Sequence, residues 1–351
     1  MPIVDTTGPI PDTTWMGFNQ ENVFVYRPQT HSFRAGLDYF IDSANTMGFS
    51  MNGLRSITRT RSNSETLIAE VGVEEIDQIL EAGSKKRAVN STYDVNVNYM
   101  HENKNGKTIS LDANYALFRN NGREFQPNTY LSPTRDTLLQ RDYFQKTPTD
   151  IDIATLKGDF ERTLGKGKFA LGAKVSYIRT DNIFDFYNVI NGERVLDSAR
   201  SNQFEYIENI NAVYSSYSRK IKKFDLYLGL RVEQTNSKGT LTGLQNETND
   251  TSYVDFFPSG GITYTSTNFN NSLRLNYSRR VDRPDYQNLN PFEWKLDELT
   301  FMRGNPFLKP QFTNSFEMTY TYKFRYSAAF GFSHTRDCLL YTSDAADDAN
   351  C

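Results

Sequence analysis

The 351-residue chain carries a net charge of −3 at pH 7, with 38% hydrophobic and 14% aromatic residues, at a mean hydropathy of −0.62. The lack of a basic excess argues against a nucleic-acid partner, and 25 Phe with 21 Tyr exclude a disordered chain. No run of about 18 apolar residues offers a spanning helix, but a transmembrane β-barrel needs apolar residues only at alternate positions.

The opening MPIVDTTGPIPDTTWMG has no basic region followed by an apolar run, so it is not a signal peptide. Residues 1–30 read as an extracellular loop or the truncated end of a preceding strand. Period-two alternation then begins. Phe33, Ala35, Leu37, Tyr39 and Ile41 alternate with Arg34, Gly36 and Asp38, and Met47, Phe49 and Met51 follow the short DSANT turn. Residues 64–86 accommodate either a short amphipathic helix or two strand extensions rising above a membrane; periodicity does not separate them, and the extended hairpin is preferred. Tyr93, Val95, Val97 and Tyr99 form the next apolar face. HENKNG, ending in the hairpin pair Asn105-Gly106, leads to Ile109, Leu111, Ala113, Tyr115 and Leu117.

The same unit recurs downstream. Phe169 to Tyr177 follow the tight LGKGK turn, and Leu226, Leu228, Leu230 and Val232 alternate with Tyr227, Gly229, Arg231 and Glu233. Leu273 to Tyr277, Phe316 to Tyr322 and Tyr326 to Phe332 complete the series. The count is about twelve strands in about six hairpins. Tight turns fall near Ser43, Asn103, Lys166, Lys220, Asn268 and Phe324. Long polar stretches separate the hairpins, over residues 55–89, 119–150, 182–202, 237–251 and 284–311. Short turns at one end and long loops at the other are the pattern of outer-membrane barrels. The fold expected is therefore all-β: an antiparallel transmembrane β-barrel over residues 31–337, with short periplasmic turns and long extracellular loops. A soluble sandwich fits less well, because strands of 10–14 residues exceed its usual length of about 5–6. After Asp337 the alternation stops, both cysteines appear, and residues 338–351 read as a non-native or disordered tail.

One segment stands apart. NYSRRVDRPDYQNLNPFEW, from Asn276 to Trp294, starts as a strand, gathers three arginines and ends on prolines. Charge is tolerated at the edge of a bilayer or on a lumen face, and Pro284 cannot donate to a ladder, so the strand leaves the membrane here. Candidate loop contacts, to a ligand or as a latch, are Arg279, Arg280, Asp282, Arg283, Tyr286, Phe292 and Trp294. A latch is the simpler role for them.

The series Arg283–Phe292 (RPDYQNLNPF), Gly304–Pro310 (GNPFLKP) and Asn314–Glu317 resembles the outer-membrane β-barrel of TonB-dependent receptors from Bacteroidetes-type bacteria. Leu37–Gly53 and Glu208–Glu233 also look like that family, so the likeness spans residues 30–336. It implies a location in the outer membrane of a Gram-negative bacterium, contact with outer-membrane lipid, and a larger barrel of about 22 strands with a plug. It further implies energising by TonB through an N-terminal region not seen in this chain, and a possible surface lipoprotein partner. On this reading the chain is the middle-to-late part of a receptor barrel that takes up a scarce metal chelate, glycan or peptide, with no cofactor. A passive porin or adhesin barrel is the alternative. An enzyme is not expected, since His31, His101 and His334 are dispersed and no nucleophile–base spacing accompanies them.

Overall fold

A computed structural model describes residues 2–5, 12–72, 75–243, 246–266, 270–289, 293–295, 301–305 and 308–336. The chain forms β1 (Pro2–Asp5), β2 (Asp12–Phe40), β3 (Asn45–Glu70), β4 (Gln78–Glu102), β5 (Lys107–Leu131), β6 (Thr137–Leu164), β7 (Gly167–Ile190) and β8 (Glu193–Leu196). It continues as β9 (Asn202–Ile221), β10 (Phe224–Thr242), β11 (Glu247–Thr265) and β12 (Asn271–Asp282). A helical turn α1 (Tyr286–Leu289), the short β13 (Glu293–Lys295) and β14 (Phe301–Arg303), and then β15 (Gln311–Tyr322) and β16 (Tyr326–Arg336) complete it. All but three strands follow one another across a single antiparallel meander. The exceptions are β8, which folds back on β7, and the β13–β14 pair, which stands outside the sheet. Twelve long strands thus run side by side, β2 to β7, β9 to β12, β15 and β16.

The period-two pattern dictates two unlike faces. One hydrogen-bonded row reads Leu226, Ile262, Leu275, Met318, Phe330 across five strands. On the other face a row reads Ser50, Asn96, Asn114, Thr155, Ser176. Leu228 is 67% exposed on the apolar face, whereas Thr235 on the polar face is 0% exposed. Apolar groups outside and polar groups inside invert the arrangement of a soluble core, and lipid is the solvent that rewards the inversion. Leu226 is half-buried and Leu230 exposed, so these leucines do not sit in a dry core between two sheets. The rows also climb. The row that starts at Leu37, near its turn, continues through Phe49, Val97, Ala113, Leu156 and Val175 to Gln234, well up β10. Such a drift is the strand tilt that a barrel wall requires.

Tight turns connect β2–β3, β4–β5, β6–β7, β9–β10 and β15–β16, as the spacing predicts. The β9–β10 turn is at Lys222, two residues past the predicted Lys220, where the chain takes a positive φ of 54°. The polar stretches at the other end differ from the loops predicted for them. Residues 55–89, 119–150 and 237–251 are strand for most of their length, paired as far out as Ile68–Gln78, Leu131–Thr137 and Leu241–Glu247. In 182–202, β7 continues to Ile190 and turns through Asn191–Gly192, both at positive φ, into β8. The 64–86 segment is the extended hairpin and not a helix, with Ser64 opposite Ala82. β2 likewise runs without a break through position 31. Above the lipid the outer face meets water and the inner face buries apolar groups in local clusters, so the ladder persists without the lipid-facing apolar row that reveals it lower down. The segment after β12 does leave the sheet.

The extensions have their own packing. Ile68, Leu80 and Ala82 form a small buried cluster against Tyr130. Beside it the buried Glu124 accepts from Ser84 Oγ at 2.6 Å and Gln126 Nε2 at 2.9 Å, with Lys86 Nζ at 3.9 Å. Burial lowers the Lys86 pKa, and Glu124 pulls it back up. Arg135, in the β5–β6 turn, bridges to Glu65 at 2.9 Å and Glu81 at 3.1 Å, tying two hairpins together.

Within the barrel wall Tyr214 lies across Gly172 and donates to Asp159 Oδ1 at 2.5 Å, two strands away. A Cβ at position 172 would stand 2.3 Å from the Tyr214 ring. Gly172→Val is therefore expected to lift the ring, break that hydrogen bond and destabilise the wall by about 1–3 kcal/mol. Urea titration of the folded protein in detergent measures it, and an unchanged midpoint would refute the close-approach role.

Candidate functional site

The segment 283–310 is a strap. It leaves β12 at Arg283, turns through α1, makes the β13–β14 hairpin and rejoins the sheet at Gln311. Pro284 accounts for the exit, since it has no N–H for the β12 ladder to continue on. The sequence suggested a loop projecting outward from the barrel end; instead Arg283, Pro284, Leu289, Leu308 and Pro310 lie against the inner face of the strand extensions. Leu289 of α1 is 7% exposed and packs with Tyr143, Phe184, Phe186 and Phe204, with Leu241 and Leu308 alongside. These inner-face rings come from β6, β7 and β9, so one helical turn contacts three strands. The Asn305 N–H donates to the Asn288 carbonyl at 2.7 Å, closing the two limbs of the strap on each other.

Arg283 anchors the strap. Its Nη2 donates to Glu233 Oε2 at 2.6 Å and to Thr235 Oγ1 at 3.1 Å, both on β10. Arg231 Nε donates to the other Glu233 oxygen. Glu233 is 6% exposed, so two guanidiniums hold one buried carboxylate. Short charge-assisted bonds of this kind are the strong ones. The Arg231 guanidinium also lies 5.3 Å from the centre of the Tyr214 ring.

The other predicted contacts behave differently. The Arg279 guanidinium sits 5.0 Å from the centre of the Phe312 ring, and Phe312 stacks on Phe257 at 6.4 Å. Arg280 is exposed. Asp282 is exposed and accepts from Gln311 Nε2 at 3.3 Å. Tyr286 belongs to α1 and Trp294 to β13, opposite Met302, but their side chains lie outside the described residues, as does Phe292. Of the four candidates whose side chains are described, Arg283 is the one that bonds to β10, two strands from β12.

Beside Arg283 is a small cavity of about 100 Å³ between the strap and β9–β11. Phe204, Leu241, Leu289 and Leu308 form its apolar side; Tyr206, Glu208 and Tyr253 are among its polar groups. Glu208 accepts from the Tyr206 hydroxyl at 3.1 Å. Burial raises the Glu208 pKa, and Arg283 opposes the rise. Burial and the neighbouring Glu208 push the Tyr206 phenol up. Both residues stand above the apolar band. Sequence reading missed Glu208, Thr235, Tyr206 and Tyr253 as site residues. Their only signal was a place on the polar face of a strand, which many residues share.

Residues 101–350 match the outer membrane protein beta-barrel family. No curated protein matches the chain. Among solved structures, the ferric citrate transporter FecA in its unliganded form shares 10% identity, covering 91% of this chain and 50% of FecA, with a TM-score of 0.50. The ferric-catecholate import receptor Fiu from E. coli K12 shares 10% identity, covering 92% and 58%, at 0.49. The ferric yersiniabactin uptake receptor FyuA from Yersinia pestis shares 9%, covering 91% and 55%, at 0.48. At 10% identity the likeness to FecA is one of fold, and the chain spans about half the length of these receptors.

Proposed function

Because this chain belongs to the outer membrane protein β-barrel family and resides in the outer membrane, we propose that it is barrel wall from a TonB-dependent receptor that imports a scarce nutrient. The observation that supports a receptor over a passive porin is the strap. It lies on the inner face, packed on four buried rings and bonded to Glu233, where a porin needs open water. A segment docked on the inside of the wall calls for an energised step to move it, and TonB is the partner that supplies one. β2 beyond its short ladder with β1, and β16, have no partner on their outer sides among the described residues and are exposed on both faces. Unpaired edges are unfavourable in lipid, so further strands of a larger barrel complete the wall.

Substrates on this reading are a metal chelate, a glycan or a peptide, with a surface lipoprotein as a possible second partner. Ferric chelates are what FecA, Fiu and FyuA carry by name. The chemistry is transport and not catalysis. Arg283 acts as a latch in this scheme, with Arg279, Arg280 and Asp282 framing the exit from the membrane. The test uses the full-length protein in planar bilayers and a strain lacking TonB. Expected are a closed barrel without steady conductance and uptake that stops when TonB is removed. Steady open-pore conductance with TonB-independent uptake would instead establish the porin.

A further inference from the structure

We infer that the cavity between the strap and β9–β11 is a pocket for the basic end of a peptide side chain, a guanidinium or a primary amine. The inference names a substrate chemistry within the receptor reading and rests on it. Size comes first. About 100 Å³ admits a group somewhat smaller than benzene. A whole chelate or an oligosaccharide needs several times that space. The pocket therefore takes one end-group of a larger ligand.

Charge decides which end-group. Glu208 and Glu247 line the cavity with a single cation, Arg283, and that cation already donates to Glu233. An anionic group would meet two carboxylates against one cation that is already engaged. Glu208 is 8% exposed, and among the described residues its Oε1 accepts a neutral hydroxyl, that of Tyr206. A buried carboxylate whose nearby guanidinium is bonded elsewhere is poorly compensated, and an incoming ammonium or guanidinium completes it. The raised pKa of Glu208, caused first by burial, agrees with that poor compensation. The apolar side formed by Phe204, Leu241, Leu289 and Leu308 suits the methylene stem of lysine or arginine, which buries its carbons and keeps its charged head on polar groups.

The experiment titrates the full-length receptor, purified in detergent, with three dipeptide amides: Phe-Arg, its uncharged isostere Phe-citrulline, and Phe-Glu. Phe-Arg is expected to bind at least about tenfold more tightly than Phe-citrulline, with no binding of Phe-Glu. Glu208→Gln should erase the preference while preserving the heat-modifiable folded band, because the site already disfavours the charged carboxylate. Ser237→Phe, which fills the cavity from β10, should abolish Phe-Arg binding by another route. Equal binding of the arginine and citrulline peptides, no binding of either, a disaccharide bound in their place, or a preference that survives Glu208→Gln would each overturn the inference. TonB-dependence of uptake tests the receptor reading separately, so the two can fail independently.

Discussion

Arg283→Ala is expected to release the strap while leaving the barrel wall folded. The substitution strips Glu233 of one of its two guanidiniums and leaves Thr235, fully buried, without that donor. Removing one partner of a buried ion pair typically destabilises by about 3–5 kcal/mol. The Arg283 side chain is 22% exposed and Arg231 still holds Glu233, so the lower end, about 3 kcal/mol, applies here. The loss falls on the strap, since the β9–β10–β11 ladders do not involve Arg283. Limited proteolysis of the protein in detergent should therefore cut Arg283→Ala within 283–310 much faster than the wild type. The heat-modifiable band that marks a folded barrel should persist in both. Arg283→Met with Glu233→Met together should recover part of the protection, because an apolar pair needs no compensation, although Arg231 then loses its carboxylate. A strap equally protected in Arg283→Ala would eliminate the latch.

Leu228→Arg is expected to block assembly into the membrane, and Tyr227→Arg is not. The two positions adjoin, but their side chains point to opposite faces. Leu228 stands on the lipid face, beside Tyr217 and Gly260 on the neighbouring strands. A charge there costs about 2–4 kcal/mol at the bilayer midplane. Tyr227 faces the lumen, where water solvates a guanidinium and the change should stay within about 1 kcal/mol. The folded fraction in outer-membrane preparations, at matched expression, reads the difference. Equal loss for both substitutions would contradict the assignment of faces.

How much of this was legible beforehand depends on what made each feature. The membrane wall was legible because lipid selects one residue type at every second position, and Leu226, Leu228 and Leu230 display it within a few residues. The turns were legible because Asn105-Gly106 and LGKGK satisfy local backbone demands. The strand extensions were legible only in part: 64–86 read as an extended hairpin, which the pairing of Ser64 with Ala82 bears out, whereas 119–150 and 237–251 read as loops, because above the lipid the outward face need not be apolar. The latch was half legible. Arg283 and Pro284 announced a boundary, but nothing near Arg283 points to Glu233, fifty residues earlier. Glu208 was less visible still. Its burial arises from Leu289 and Leu308 arriving from a distant part of the chain, and no window of sequence contains both.

The strap also sets an order of events. Ladders other than β7–β9 and β12–β15 join strands that are consecutive in the chain, so most of the wall can zip from hairpin to hairpin, while β12 meets β15 across the strap. Leu289 instead meets Tyr143, Phe184 and Phe204, and those rings come together only after β6, β7 and β9 have paired. The entropy of closing so long a loop must be met before its contacts form. Docking of the strap is therefore a late step, and its contacts are absent from the transition state for pairing the wall. Weakening them should accelerate unfolding and leave the folding rate nearly untouched. The segment after β12 acts as the timer of the structure: it governs how long the finished barrel lasts, not how quickly it forms.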